Sequence, residues 1–159
     1  MYIFVYGTLR YKGRSHYLIG NEEYKGVFKT KEKYYMVCPT SKAFPYCSTG
    51  QIVPDTEPSE IVGEVYDVSL STLRRLDSLE GHPTHYTRTT IVLENNILAD
   101  MYLLETNSVV EGLRCSGRFM AVPQGDWMAF MDSNENPAFL QEHQECQEGP
   151  QSTRESVSK

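Results

Sequence analysis

A carboxylate stands at an unusual position in the chain, near the end of a segment with helical periodicity. Glu80 follows Leu76 by four residues and Leu73 by seven, and these spacings place the three side chains on one face of a helix. Burial beside the leucines and the negative end of the helix dipole both disfavour the charged carboxylate, so both raise its pKa. A carboxyl group of this kind exchanges a proton near neutral pH. Glu80 is therefore a candidate general acid/base.

A glycine-led turn near the N-terminus is a candidate anion site. Tyr6, Gly7, Thr8 and Leu9 come at the end of the apolar run 2–6. A turn of this type can present several backbone N–H groups together, and such a cluster binds a carboxylate or a developing oxyanion. The residues alone leave two plainer alternatives open. On the residues alone, an ordinary strand end is the preferred interpretation of the turn. A frayed helix end that faces water is the preferred interpretation of Glu80.

The segment after Glu80 offers a second polar group and an alternative chemistry. Pro83 ends any helix, so the chain turns there into a strand, and the Tyr86 hydroxyl is expected near the Glu80 carboxylate. Glu80, His82 and His85 also form the pattern E-x-H-x-x-H, which suggests a metal site. Pro83 prevents the two histidines from lying one helical turn apart. Solvent-exposed loop histidines are therefore the preferred interpretation.

Several elements must position these residues. Ser69 and Gly81 are typical N-cap and C′ residues, so a helix is predicted over residues 69–81. Asn95 and Asn96 predict a hairpin between strands 86–94 and 97–104. The other expected elements are strands in 2–6, 26–38 and 61–68, a loop in 47–60 and a loop or lid in 105–118. Short strands close in sequence favour an α+β fold with a compact mixed or mainly antiparallel sheet.

Composition narrows the class of protein. The chain has 159 residues, 40% of them hydrophobic, which suits one folded domain. A net charge of −6 argues against DNA or RNA binding. No apolar run has the length of a membrane span, and the N-terminus lacks the pattern of a signal peptide, so a cytoplasmic location is expected. Four cysteines without a C-x-x-C pair predict reduced thiols rather than a zinc or disulfide framework.

The last part of the chain differs from the rest. Residues 132–159 contain six acidic and two basic residues and few apolar ones, so residues 131–159 are expected to form an acidic polar tail. A short helix over Ala138–Cys146 is one prediction for it. A protein partner that binds this tail is a further possibility, although a solvated appendage is the preferred interpretation.

Taken together, the motifs resemble the gamma-glutamylcyclotransferase-like superfamily, and in particular gamma-glutamylamine cyclotransferases and their small bacterial and phage-type relatives. The resemblance covers about residues 2–130. It is carried by a strand with Y-G-T-L-R, by G-E-V-Y at Gly63–Tyr66, and by L-D-x-x-E-G-x-P-x-x-Y-x-R at Leu76–Arg88. Gly13, His16, Phe44-Pro45 and Gly125-Asp126-Trp127 also fit in order.

The resemblance implies a barrel-like sheet with flanking helices in residues 1–130, and a cavity at one end. The implied reaction releases a γ-glutamyl group as 5-oxoproline and frees the amine, without a metal or cofactor. The expected partner is thus a small γ-glutamyl substrate. By resemblance, Glu80 matches the catalytic glutamate. The residues that match substrate-binding positions are Tyr6, Gly7, Thr8, Leu9, Pro45 and Tyr86.

Other functions remain open at this point. The same cavity could serve a non-catalytic binding module for a small anionic or nucleotide ligand, or the fold could display the tail to a partner. Tyr46 and Cys47 depart from the smaller residues that the resemblance leads us to expect after Pro45, and they are expected to reshape the amine end of the pocket.

Overall fold

Strands dominate this computed structural model, which describes residues 1–40, 44–105 and 107–133. The strands are β1 (Tyr2–Val5), β2 (Glu23–Pro39), β3 (Tyr46–Ser48), β4 (Ser59–Asp67), β5 (Thr87–Val92), β6 (Leu98–Leu103) and β7 (Phe119–Ala121). The α-helices are α1 (Leu70–Glu80), α2 (Asn107–Ser116) and α3 (Trp127–Met131), and short 3-10 turns occupy His16–Leu18 and Pro123–Gly125.

The strands form one curled sheet in the order β3-β2-β4-β1-β6-β5, and β7 pairs with β2. The β1–β6 pair is parallel, and the other pairs in the described residues are antiparallel. A bridge between Thr30 and Leu93 joins β2 to the hairpin, and the Leu104 N–H donates to the Cys47 carbonyl, 2.8 Å away. The sheet is therefore a half-barrel, and the prediction of a mixed, mainly antiparallel, barrel-like sheet with flanking helices is confirmed.

The two faces of the sheet bury different side chains because residues alternate along each strand. On one face, Phe4 of β1 packs in a cluster with Trp127 and Phe130 of α3. On the other face, Ile3 and Val5 pack in a cluster with residues of α1. The apolar set of the hairpin, Ile91, Leu93, Ala99, Met101 and Leu103, lies in the first cluster, as its alternation predicts.

Helix α1 has the predicted ends. The Ser69 hydroxyl accepts a hydrogen bond from the Thr72 N–H, and Gly81 ends the helix in the left-handed region with φ 65°. Leu73 and Leu76 are buried against the sheet, and each contributes roughly 1.5–3 kcal/mol. The helix register that places Glu80 beside them is thus set by packing, not by local propensity alone.

The predicted loop or lid over residues 105–118 is wrong, because α2 occupies most of it. Its polar residues conceal an apolar pair one turn apart: Val110 is buried, and Leu113 packs against the same cluster. Arg114 adds two hydrogen bonds to the Gln51 carbonyl, at 2.7 and 3.1 Å. These contacts are distant in sequence, so the local composition did not reveal them.

Smaller differences occur at the loop predicted over residues 47–60. Strand β3 takes its first two residues, and β4 begins already at Ser59. The helix predicted over Ala138–Cys146 and most of the tail lie outside the described residues. No helix in the described part of the chain is both long and apolar enough to cross a membrane.

A buried ion network ties the N-terminal turn to the rest of the fold. Arg10 and Glu64 are only 7% and 5% exposed, and their charged groups lie 3.4 Å apart. Arg10 also binds Asp126, the N-cap of α3, at 2.9 Å. The Glu64 carboxylate accepts further hydrogen bonds from the Tyr11 N–H and the Tyr66 hydroxyl, each at 2.8 Å. Buried charges need such partners, so the network holds the turn in one geometry.

We expect Arg10→Met to lower the free energy of unfolding by about 3 kcal/mol, because it leaves the Glu64 carboxylate buried without its cation. Urea denaturation followed by circular dichroism measures this change. The matched control is Arg74→Met on the exposed side of α1, which should change stability by less than about 0.5 kcal/mol. Equal effects of the two substitutions would contradict the importance of the network.

Candidate active site

A cavity of about 370 Å³ opens where the N-terminal turn, the end of α1 and the start of β3 meet. Its lining includes all seven residues singled out from the sequence, namely Tyr6, Gly7, Thr8, Leu9, Pro45, Glu80 and Tyr86. The structure brings these residues together, while their roles in catalysis and substrate binding stay predictions. Residues up to 80 positions apart in sequence thus surround one space of a size that suits a small molecule.

The N-terminal turn is held by its own hydrogen bonds. The Arg10 N–H donates to the Gly7 carbonyl at 3.0 Å, and the Ser15 N–H donates to the Thr8 carbonyl at 3.0 Å. His16 Nδ1 lies 3.0 Å from the Leu9 carbonyl and acts as the donor there. Because the carbonyls of Gly7, Thr8 and Leu9 are engaged in this way, the backbone of the turn has a defined orientation against the cavity.

Gly7 also meets a steric requirement of the site. A Cβ atom at this position would lie 2.8 and 2.9 Å from Cγ and Cδ of Pro45. The turn and the Pro45 ring can therefore touch only because residue 7 has no side chain. This contact brings two separate parts of the sequence-predicted site together.

Glu80 is the last residue of α1, and its half-buried side chain lines the cavity. In the described part of the chain, no side chain forms an ion pair or a hydrogen bond with its carboxylate. Burial therefore acts unopposed and raises the pKa of Glu80 to about 7. A raised pKa is what the helical spacing predicts, and desolvation is its physical cause.

A polar cluster beside Glu80 fixes the end of the helix. Asp77, three residues earlier, accepts hydrogen bonds from Arg88 Nε at 2.9 Å and from the Tyr102 hydroxyl at 2.7 Å. Arg88 in turn binds Asp100 at 2.7 Å. The cluster joins α1 to both strands of the hairpin. It accounts for the D and the R of the L-D-x-x-E-G-x-P-x-x-Y-x-R pattern, to which no role could be assigned from the sequence.

Aromatic rings form one wall of the cavity. Tyr46 stacks on Tyr86 with ring centroids 5.8 Å apart, and His85 meets Tyr86 edge-on at 4.9 Å. Burial, aided by the Glu80 charge, raises the pKa of Tyr86, so its hydroxyl keeps its proton. Tyr6 is buried, and its hydroxyl donates to the Tyr102 carbonyl at 2.9 Å. The wall is thus apolar with neutral hydroxyl groups.

The residues after Pro45 behave differently from each other. Tyr46 lines the cavity, where the departure from the family pattern leads us to expect it, whereas Cys47 is not a lining residue and is fully buried in the core. Burial raises the pKa of the Cys47 thiol and brings that of Cys38 to about 11. Both thiols therefore remain protonated and are poor nucleophiles.

The metal alternative finds little geometric support. His82 Nδ1 accepts a hydrogen bond from the Arg88 N–H at 3.1 Å, whereas His85 packs on the aromatic wall. Within the described ranges, no three His, Cys, Asp or Glu side chains converge as ligands. The expectation of exposed loop histidines holds for His85, and His82 is half-buried instead.

Other residues of the lining were not predicted from the sequence. They are Val5, Arg14, Ser15, Phe44, Leu79, His85 and Tyr102. Tyr102 carried a usable signal, since it alternates with the core residues Met101 and Leu103 and so must face the side of the sheet that α1 covers. Phe44 is adjacent to the predicted Pro45 in the Phe44-Pro45 pair, whereas Arg14 carried no such signal, because a loop brings it to the cavity.

Comparison with known proteins agrees with the geometry. The family described as "Gamma-glutamyl cyclotransferase, AIG2-like" matches residues 3–129. A protein of Methanocaldococcus jannaschii named "Putative gamma-glutamylcyclotransferase" is 44% identical over 88 residues, which are 55% of this chain and 67% of that protein. The gamma-glutamylaminecyclotransferase A of Danio rerio is 37% identical over 98 residues, 58% of each chain.

Solved structures share the fold. An uncharacterized protein of Pyrococcus horikoshii aligns with a TM-score of 0.61 at 21% identity, covering 91% of this chain and 97% of its own. An AIG2-like protein of Mus musculus aligns with a TM-score of 0.55 at 24% identity, covering 64% and 75%. The family match extends over most of the chain and includes every residue placed at the cavity. The chain therefore belongs to the gamma-glutamyl cyclotransferase, AIG2-like family.

Proposed function

We propose that this protein is a cyclotransferase that releases 5-oxoproline and a free amine from a γ-glutamyl amine or γ-glutamyl amino acid. Glu80 is its general acid/base. The observation that carries the proposal is a carboxyl group with a pKa of about 7 that faces a small-molecule cavity beside the Gly7–Leu9 turn. Family membership supports the same reaction, and the Danio rerio relative is named for γ-glutamylamines.

The chemistry requires one proton carrier and a folded substrate. Glu80 takes a proton from the α-ammonium group, and the freed amine attacks the γ-carbonyl carbon of the same molecule. A five-membered ring closes, and the bond from this carbon to the leaving nitrogen breaks. The α-nitrogen gives up two protons overall, and both end on the departing amine, which leaves as an ammonium ion. Atoms and charges balance within the substrate and the Glu80 carboxyl group.

The remaining groups act by position. The N–H groups of the Gly7–Leu9 turn bind the substrate carboxylate or the oxyanion that forms on the γ-carbonyl. Pro45, Tyr6 and Tyr86 shape the wall against which the γ-glutamyl chain folds back. Intramolecular attack depends mainly on this folded geometry, so positioning supplies much of the rate.

Glu80→Gln should lower the rate of 5-oxoproline release at least about 1,000-fold, because it keeps the shape of the side chain and removes the proton carrier from both steps. The assay uses a panel of γ-glutamyl amines and γ-glutamyl amino acids. Glu57→Gln, in an exposed loop, is the matched control and should retain full activity. Equal turnover by the native protein and Glu80→Gln would remove Glu80 from the mechanism. Ligand binding without turnover in the native protein would favour the binding module.

The pH profile of kcat/KM should follow the ionisation of Glu80 in the free protein. The base must be charged to accept a proton, so kcat/KM should rise about tenfold per pH unit from pH 5 and level off above about pH 7. Initial rates measured in buffers of constant ionic strength test this. A flat profile between pH 5 and pH 8 would contradict it.

The same raised pKa predicts that Glu80 destabilises the native protein at high pH. Between the ordinary value of 4.5 and about 7, the folded state binds more protons than the unfolded state, so the free energy of unfolding falls as pH rises. Glu80→Gln removes this contribution, and at pH 8 the variant should be more stable than the native protein by up to about 3 kcal/mol. Near pH 4.5 the difference should largely vanish. Urea denaturation at both pH values measures it, and an equal difference at both would contradict the prediction.

A further inference from the structure

Arg14 is a cavity residue to which the proposed reaction assigns no role. It follows the Gly7–Leu9 turn in the loop that the Ser15 N–H closes onto the Thr8 carbonyl. Its guanidinium carbon lies 5.7 Å from the centre of the Phe44 ring, and both side chains line the cavity. A cation stacked on an aromatic face has a restricted orientation while its N–H groups remain available at the ring's edge.

Among the described residues, Arg14 lines the cavity without an ion pair to an acidic residue, a lack that it shares with the exposed Arg74, Arg75 and Arg118, which lie outside the cavity. Arg10, Arg88 and Arg114 each form an ion pair with an acidic side chain. In the described part of the chain, Arg14 forms none. Glu80 is the one carboxylate among the described lining residues, and it serves as the proton carrier. Arg14 differs from the other unpaired arginines of the described chain in lining the cavity, so a bound ligand can supply its counter-charge.

Exposure distinguishes two ends of the cavity. Gly7, Leu9, Pro45 and Tyr86 are buried, whereas Arg14, Leu79 and His85 are exposed and form the mouth. In the proposed reaction the γ-glutamyl chain must reach the turn at the buried end. The leaving amine then extends toward the mouth, through which it departs. Arg14 thus lies beside the leaving group rather than beside the ring that closes.

We propose that Arg14 binds a carboxylate of the leaving amine, so that the preferred substrates are γ-glutamyl amino acids rather than γ-glutamyl derivatives of neutral or cationic amines. This inference rests on the proposed function and specifies its substrate class. A guanidinium suits the task because its planar N–H groups match the two oxygens of a carboxylate. A leaving group with a second ammonium would be repelled by Arg14 instead.

The test compares two substrates that differ in one carboxylate: γ-glutamyl-alanine and γ-glutamyl-ethylamide. Release of 5-oxoproline by the native protein, Arg14→Gln and Arg14→Lys is followed, and kcat/KM is determined for each substrate. Arg74→Gln, at an exposed arginine of α1, is the matched control.

One hydrogen-bonded charge pair at a partly exposed site corresponds to about a tenfold change in kcat/KM. Arg14→Gln should therefore lower kcat/KM about tenfold for γ-glutamyl-alanine and less than twofold for γ-glutamyl-ethylamide. Arg14→Lys should lose less than Arg14→Gln.

A binding measurement separates this inference from the proposed function. Isothermal titration of both compounds is carried out with Glu80→Gln and with Glu80→Gln combined with Arg14→Gln. The role of Arg14 is supported if the double variant binds γ-glutamyl-alanine more weakly than Glu80→Gln does, while binding of γ-glutamyl-ethylamide is unchanged. This result can be obtained even if the native protein shows no turnover and the proposed function fails. Equal loss for both compounds would show that Arg14 binds the α-carboxylate that they share. Equal loss of affinity for both compounds, or no loss for either, would overturn the inference. Release of 5-oxoproline by the native protein would still test the proposed function separately.

Discussion

The buried pairing of Arg10 with Glu64 is the constraint on which the site depends. Both side chains are removed from water, so each requires the other and the neutral donors around them. Because Arg10 directly follows the Gly7–Leu9 turn, satisfying its charge also places the turn. Asp126 adds the N-terminus of α3 to the same network. The segments Y-G-T-L-R, G-E-V-Y and G-D-W, far apart in sequence, are thus parts of one electrostatic cluster.

The end of helix α1 combines three requirements within a few residues. Leu76 anchors the helix in the core, Asp77 binds Arg88 and Tyr102, and Gly81 turns the chain away. Glu80 lies between these fixed residues, and its side chain therefore lines the cavity. Packing and hydrogen bonds of the neighbouring residues hold the Glu80 carboxyl group in a position that is unfavourable for its charge. Such positions are typical of groups whose pKa matters for function.

Much of this could be predicted from the sequence where the signals are local. The period of Leu73, Leu76 and Glu80, the caps of α1 and the Asn95-Asn96 hairpin each depend on neighbouring residues. The predicted placement of Glu80 at the end of α1, on the face of Leu73 and Leu76, agrees with the structure for that reason. Helix α2 was missed, because Val110 and Leu113 become a helix face only against a distant cluster. Arg14 was missed as a lining residue, because a loop brings it to the cavity. The family resemblance supplied the reaction, which spacing alone did not.

The position of β1 in the sheet has a consequence for how the protein is made. This strand precedes both of its partners, β4 and β6, in the sequence, with Phe4 opposite Val65 and Ile3 opposite Asp100. During synthesis its apolar residues therefore remain unpaired until strands that lie up to about a hundred residues later have been made. Pairings of such long sequence separation form slowly, and an unpaired apolar strand is prone to association in the meantime. Among the strands that the structure describes, the one that leads into the cavity is thus also the one whose partners are made longest after it.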